Sequence, residues 1–210
     1  QSPRLTVAHN AMSRLSAACL SFAARLSDLL GASMARGVLA LDAPERMAAR
    51  HHVFRGQAWP VDLLRAAGPE DLPTSVDESR SAIVYPFGRV IRPDRLLPCL
   101  MRDTQLVLGF EVASIDAGEG GLLIAAKAGR QRQADAVVLA SGADLGQMMA
   151  LSGDLLPLEQ SYGQVSHVPV AATSLSHELS NGVSFGGYLT PVLDGLCGLG
   201  ATFKKQQQDV

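Results

Sequence analysis

No Gly-x-Gly-x-x-Gly run occurs in this 210-residue chain. That motif sets backbone N–H groups around a pyrophosphate between a strand and a helix. Gly195-Leu-Cys-Gly198-Leu-Gly200 has the wrong spacing and no helical pattern after it, and Gly118-Glu-Gly-Gly121 reads as a turn. A self-contained dinucleotide site is therefore excluded. Cysteine is also scarce. Cys19, Cys99 and Cys197 are far apart, form no Cys-x-x-Cys pair and sit among apolar neighbours, which excludes a disulfide scaffold and a thiolate metal site and predicts buried, reduced thiols. His51 and His52 are adjacent in a polar helical stretch, where adjacent side chains diverge, so they read as surface residues. No apolar run approaches the roughly 18 residues of a membrane helix. The amino-terminal Gln-Ser-Pro-Arg has neither an initiator methionine nor a signal-peptide pattern, which predicts a piece of a longer cytoplasmic protein. Net charge is −2, so the composition shows no basic excess for holding a polyanion.

What is present is core material. Hydrophobic residues make up 47% and charged residues 18%, which argues against disorder. Asn10 reads as an N-cap, and Met12, Leu15, Cys19, Phe22, Leu26 and Leu29 then recur every three or four residues until Gly31, predicting a helix with these residues on its apolar face. Val38–Leu41 reads as a strand, Pro44 to Arg55 as a helix and Pro60 to Ala67 as a short helix. Residues 68–80 form a polar connector. Ala82–Tyr85 reads as a strand ended by a Pro86-Phe-Gly88 turn, Val90-Ile91 follows, and Pro93 opens a helix.

From Gln105 the period changes to that of strands, at 105–108, 111–116, 122–127 and 136–139, with Gly118–Gly121 as a hairpin. Ala136-Val-Val-Leu139 is apolar on both faces and predicts a central buried strand of a parallel sheet, followed by a helix from Asp144 to Met149. Four more strands are expected near 162–168, 170–174, 183–190 and 196–203. The order implies an α+β chain with a mainly helical segment at 1–80, a partial doubly wound nucleotide layer at 81–160 and part of an antiparallel substrate-binding sheet at 161–210. A partial sheet leaves strand edges open, which favours a homo-oligomer.

Asp135-Ala-Val-Val-Leu-Ala-Ser-Gly142, Gln164-Val-Ser-His-Val-Pro169, Gly187-Tyr-Leu-Thr-Pro191 and Gly198-Leu-Gly-Ala-Thr-Phe203 together resemble the amino-acid-oxidase-like family of FAD-dependent oxidoreductases. Within it they are most similar to the oxidoreductase domain of the bifunctional enzymes that build methylaminomethyl-thiouridine in tRNA. The resemblance implies a discontinuous FAD domain whose glycine motif lies upstream of this chain and whose flavin cover lies downstream. FAD is then a cofactor of the parent protein rather than of residues 1–210 alone. It implies that the Val112 main chain meets the adenine and that Ala140, Ser141 and Gly142 pass close to the cofactor, where small residues let the backbone approach.

On the substrate side it implies that Tyr188 donates to a substrate carboxylate; a phenol offers a donor without a charge. Gln164 lies in a segment similar to the family's Arg-Gly-Gln-Val, with Tyr162 in place of the arginine, which loses one guanidinium fork. His167 reads as structural. Arg89 and Arg92 flank a turn similar to the family's Gly-x-Val-x-Pro. They read as surface residues in the first instance, with Arg89 the candidate for a substrate or tRNA phosphate. The activity implied is oxidation of a secondary amine, in its specific version removal of the carboxymethyl group from carboxymethylaminomethyl-uridine in tRNA. A glycine- or sarcosine-type oxidase acting on a small amine, and a cofactor-free binding or structural module, are the alternatives.

Overall fold

The computed structural model describes residues 10–41, 45–57, 59–73, 76, 81–144, 161–173 and 179–205. The elements, in chain order, are α1 (Ala11–Leu29), β1 (Ser33–Leu41), α2 (Glu45–Arg55), β2 (Arg65–Ala66), β3 (Ala82–Ile91), α3 (Pro93–Leu100), β4 (Val112–Gly118), β5 (Gly121–Ala126), β6 (Gln131–Ala134), β7 (Ser161–Pro169), β8 (Gly182–Ser184), β9 (Tyr188–Leu189) and β10 (Leu196–Lys205). The fold is α+β. The chain divides into two compact units, Gln1–Arg102 with Gly163–Phe203, and Asp103–Tyr162 with Lys204–Val210.

The first unit is built on a seven-stranded sheet in the order β2-β3-β1-β8-β9-β10-β7. Every described pairing is antiparallel except that of β1 with β8, which sets Val38, Leu39 and Ala40 beside Gly182, Val183 and Ser184. Strand geometry sends alternate side chains to opposite faces. Val38, Ala40, Ile83 and Tyr85 accordingly join Leu20, Phe54, Trp59, Leu63 and Leu64 in one core cluster. Leu39, Ala82, Val84, Val183, Leu189 and Cys197 form another with Leu179. The central strands are buried on both faces, and for that reason Val38–Leu41 and Ala82–Tyr85 read as unbroken apolar runs.

Helix α1 starts where the sequence says, with the Asn10 side chain accepting the Ser13 N–H at 3.0 Å. Its orientation is the reverse of the expected one. Ser13, Leu20, Ala24 and Ser27 are buried, whereas Met12, Leu15, Phe22 and Leu29 are exposed, Phe22 to 69%. Small residues let the helix axis approach the β1–β3 surface, so size rather than hydrophobicity decides the inward face. The same helix leaves Cys19 exposed; Cys99 is half-buried and Cys197 alone of the three is buried. On α2, His51 is fully buried and His52 exposed. His51 lies three residues before the buried Phe54 and shares its face, which corrects the surface assignment.

Three further expectations give way. Residues 61–64 are turn and coil leading into β2 rather than a helix. Pro86-Phe-Gly88 does not end its strand: β3 runs through it, and the register passes from Arg36↔Arg89 to Val38↔Tyr85. One residue of β1 faces three of β3, so the turn formers make a bulge. Gly88 is packed there so closely that a Cβ would lie 2.6 Å from Val38 Cγ2. Residues 170–172 form a 3-10 turn instead of a strand, and 183–190 splits into β8, a tight turn and β9.

The second unit contains a three-stranded antiparallel sheet, β4-β5-β6. Gly118 pairs with Gly121 across the expected two-residue turn, where Gly120 has φ +90°. Residues 105–108 are irregular. Ala136–Leu139, expected as the central strand of a parallel sheet, is not a strand, and Val138 is 88% exposed. A run apolar on both faces is a strand only when neighbours take its hydrogen bonds and layers cover both faces. No described strand pairs with this run, and only Val137 and Leu139 are half-buried. Residues 142–144 form a single 3-10 turn, and the helix expected onward to Met149 falls outside the described residues.

Candidate functional site

The site builds up around the turn between β8 and β9. Gly186 has φ +98°, and the Phe185 N–H donates to the Gly187 carbonyl at 3.1 Å. Ser184 Oγ donates to the same carbonyl at 3.3 Å. A Cβ on Gly187 would lie 2.7 Å from the Gly200 carbonyl oxygen, so only glycine permits this approach of the turn to β10. The turn delivers Tyr188 to the rim of a cavity of about 490 Å³ whose walls include Val38, Arg89, Val90, Ile91, Ser184 and Thr190. The Tyr188 side chain is 37% exposed. The walls are aliphatic and backbone, and the phenol and the Ser184 and Thr190 hydroxyls are their neutral polar groups. That chemistry suits a small ligand with an apolar body and a hydrogen-bonding end.

Arg89 is 6% exposed, not a surface residue. Its Nε and Nη2 donate to the two carboxylate oxygens of Asp28, each at 3.0 Å. Its Nη1 donates to the carbonyls of Pro86 at 2.9 Å and Gly88 at 2.7 Å. The parallel N–H pair that would grip an incoming carboxylate thus grips Asp28, while the third arm braces the bulge. Asp28 also accepts from Ser33 and pairs with Arg36 at 3.2 Å. The hydrogen bond from Arg89, then that from Ser33, hold its carboxyl down at about 2; burial opposes them, and the Arg89 and Arg36 charges assist. Sequence reasoning passed over Asp28. The available signal was an acid in the last turn of a helix, where the dipole disfavours it and a cationic partner is called for.

Gln164 lies on exposed β7, with its N–H donating to Thr202 Oγ1 at 3.2 Å. It lines a neighbouring cavity of about 280 Å³ with Ser166, Gly200 and Thr202, and Ala201 belongs to both cavities. Tyr162 and His167 are exposed on the same strand. The structure therefore brings Tyr188 and Arg89 into one pocket and sets Gln164 in the next.

Val112, Ala140, Ser141 and Gly142 belong to the second unit. Val112 is half-buried opposite Ala126. Ala140, Ser141 and Gly142 are exposed, with Gly142 at φ +61°. Among the described residues no strand-to-helix turn gathers N–H groups, so the phosphate half of a dinucleotide finds no fit on them. Nor do the described residues contain a cluster of three potential metal ligands or a helix long and apolar enough to cross a membrane.

Comparison with known proteins bears on the chain as a whole. The family model described as FAD-dependent oxidoreductase, DAO, matches residues 3–210. The tRNA 5-methylaminomethyl-2-thiouridine biosynthesis bifunctional protein MnmC of Shewanella baltica (strain OS185) is 30% identical over 179 residues, 81% of this chain and 26% of that protein. The protein of the same name from Chromohalobacter salexigens is 36% identical over 128 residues, 60% of this chain and 18% of its own length. The chain thus spans about a quarter or less of the curated relatives it matches. Among solved structures, glycine oxidase from Geobacillus kaustophilus superposes with a TM-score of 0.71 at 20% identity, covering 95% of this chain and 58% of that one. Iminodiacetate oxidase from Chelativorans sp. BNC1 gives 0.67 at 21%, covering 93% and 57%. These two share the fold. The match along nearly the whole sequence carries the assignment: the chain belongs to the DAO family of FAD-dependent oxidoreductases.

Proposed function

We propose that this chain supplies the substrate pocket of an FAD-dependent oxidoreductase acting on a secondary amine, in its specific form the oxidative removal of the carboxymethyl group from carboxymethylaminomethyl-uridine in tRNA. The observation that carries the reading is the phenol of Tyr188 at the rim of an aliphatic cavity of about 490 Å³. The tRNA form of the reading is supported by 30% identity over four-fifths of the chain to a protein named for tRNA modification.

In this reading the Tyr188 O–H donates to the carboxylate of the carboxymethyl group. Val38, Val90 and Ile91 exclude water from the amine. Arg89, its charge matched by Asp28, shapes the wall and leaves the neutral phenol to orient the acid. Gln164 is placed to meet the nucleoside side of a larger substrate from the adjoining cavity. In the full-length protein FAD supplies the oxidising power.

The test is turnover by the purified full-length protein on tRNA bearing the carboxymethylaminomethyl group, set against free glycine and sarcosine. Consumption of the modified tRNA is expected. Activity confined to free amino acids overturns the tRNA assignment in favour of a small-amine oxidase. Absence of a flavin band near ~450 nm from the full-length protein overturns the enzyme reading in favour of a binding module. Residues 1–210 purified alone are expected to be colourless.

A further inference from the structure

Tyr188 stands directly opposite Gly200 in the antiparallel pairing of β9 with β10. The hydroxyl end of its side chain lies over that glycine. A Cβ built on Gly200 would stand 3.1 Å from both Cζ and Oη of Tyr188 and 3.0 Å from Val165 Cγ2, inside the roughly 3.5–4.0 Å of an ordinary carbon contact. The next glycine of the strand, Gly198, is less crowded, its Cβ meeting Thr190 Oγ1 at 3.3 Å. Gly200 is not among the glycines with positive φ, so its φ does not call for glycine. The aromatic ring does. Without a side chain at 200, the hydroxyl end of the phenol sits against the strand, and Tyr188 also lines the cavity. Gly200 itself lines the adjoining cavity that contains Gln164.

We propose that Gly200 is a positioning residue: it sets the height of the Tyr188 phenol above the sheet and thereby the size of amine that the pocket admits. The second half rests on the reading of Tyr188 as the group that meets the substrate carboxylate. A methyl group at 200 lifts the ring off the strand into the cavity. The hydroxyl moves away from its carboxylate position, and the room for a substituent on the amine shrinks.

The experiment places 3-fluorotyrosine at position 188 of the full-length protein and compares the wild type, Gly200→Ala, Val165→Ala and the double variant by fluorine NMR, with glycolate as the carboxylate probe. Gly200→Ala is expected to shift the fluorine resonance, to weaken glycolate about tenfold, the equivalent of one lost hydrogen bond, and to raise KM for sarcosine more than for glycine. Flavin content should stay unchanged. Val165→Ala removes the other crowded contact and is expected to leave the shift caused by Gly200→Ala in place. An unmoved fluorine resonance in Gly200→Ala overturns the proposal, as does restoration of the wild-type spectrum by Val165→Ala, which would make Val165 the residue that matters. Failure of glycolate to perturb the wild-type resonance instead overturns the carboxylate role of Tyr188, and the spectra without probe still decide whether Gly200 holds the ring.

Discussion

Replacing Asp28 by asparagine probes the ionic centre of the first unit. Asp28 has an ordinary carboxyl value of 3.8 and is held at about 2 in the fold. A folded value below the unfolded one stabilises the protein above the unfolded value, and this contribution is lost as pH falls through the folded value. The gap is worth about 2 kcal/mol at pH 7; the side chain is 21% exposed, and solvent screening lowers the figure to about 1–2 kcal/mol. Asp28→Asn at pH 7 removes this and also leaves the Arg89 guanidinium buried without its counter-charge. The total loss is then about 2–4 kcal/mol. Urea unfolding of the wild type and Asp28→Asn at pH 7, 4 and 2.5 measures both parts. The difference between the two proteins should be largest at pH 7 and shrink by about 1 kcal/mol by pH 2.5, the remainder going only below the folded value, since other carboxylates cancel in the subtraction. A difference that stays constant over that range refutes the argument, because the asparagine would then be costing packing alone.

Gly88→Ala puts a methyl group 2.6 Å from Val38 Cγ2 and should lower stability by about 1–3 kcal/mol, with Val38→Ala in the same chain recovering part of the loss in thermal melts. Phe54→Ala empties a buried aromatic position, 1% exposed, and should cost about 3–5 kcal/mol in urea unfolding. Asn10→Ala removes the acceptor for the Ser13 N–H and should cost about 1 kcal/mol, with amide exchange accelerating in the first turn of α1 and not in its last.

Patterns of period and punctuation were legible in the chain to the extent that local physics determines them. Asn10 capped α1 because a side-chain oxygen reaches the third N–H wherever the helix begins. Val38–Leu41 and Ala82–Tyr85 read as strands because both of their faces are covered. What depended on neighbours was not legible. The stripe from Met12 to Leu29 is more apolar than Ser13, Ala24 and Ser27, yet the small face packs inward because the sheet comes close. Pro86-Phe-Gly88 has the composition of a turn and becomes a bulge because β1 holds the strand on both sides of it. Val137 and Val138 have the composition of a buried strand, yet no described strand pairs with them. At the site, Tyr188 was singled out through the family resemblance, and the structure sets it at a cavity. The pairing of Asp28 with Arg89 was not, since it joins residues 61 apart in sequence.

The parallel junction of β1 with β8 has a consequence for biogenesis. Residues 38–40 on one strand find residues 182–184 on the other, with Asp103–Tyr162 of the second unit encoded between them. A ribosome releases Val38, Leu39 and Ala40 long before their partner exists, and closing a loop of that length is an entropic cost borne before any contact repays it. Until then the middle of the sheet is a raw hydrogen-bonding border, and the nascent protein is most open to misassociation at the seam on which the finished pocket is later raised.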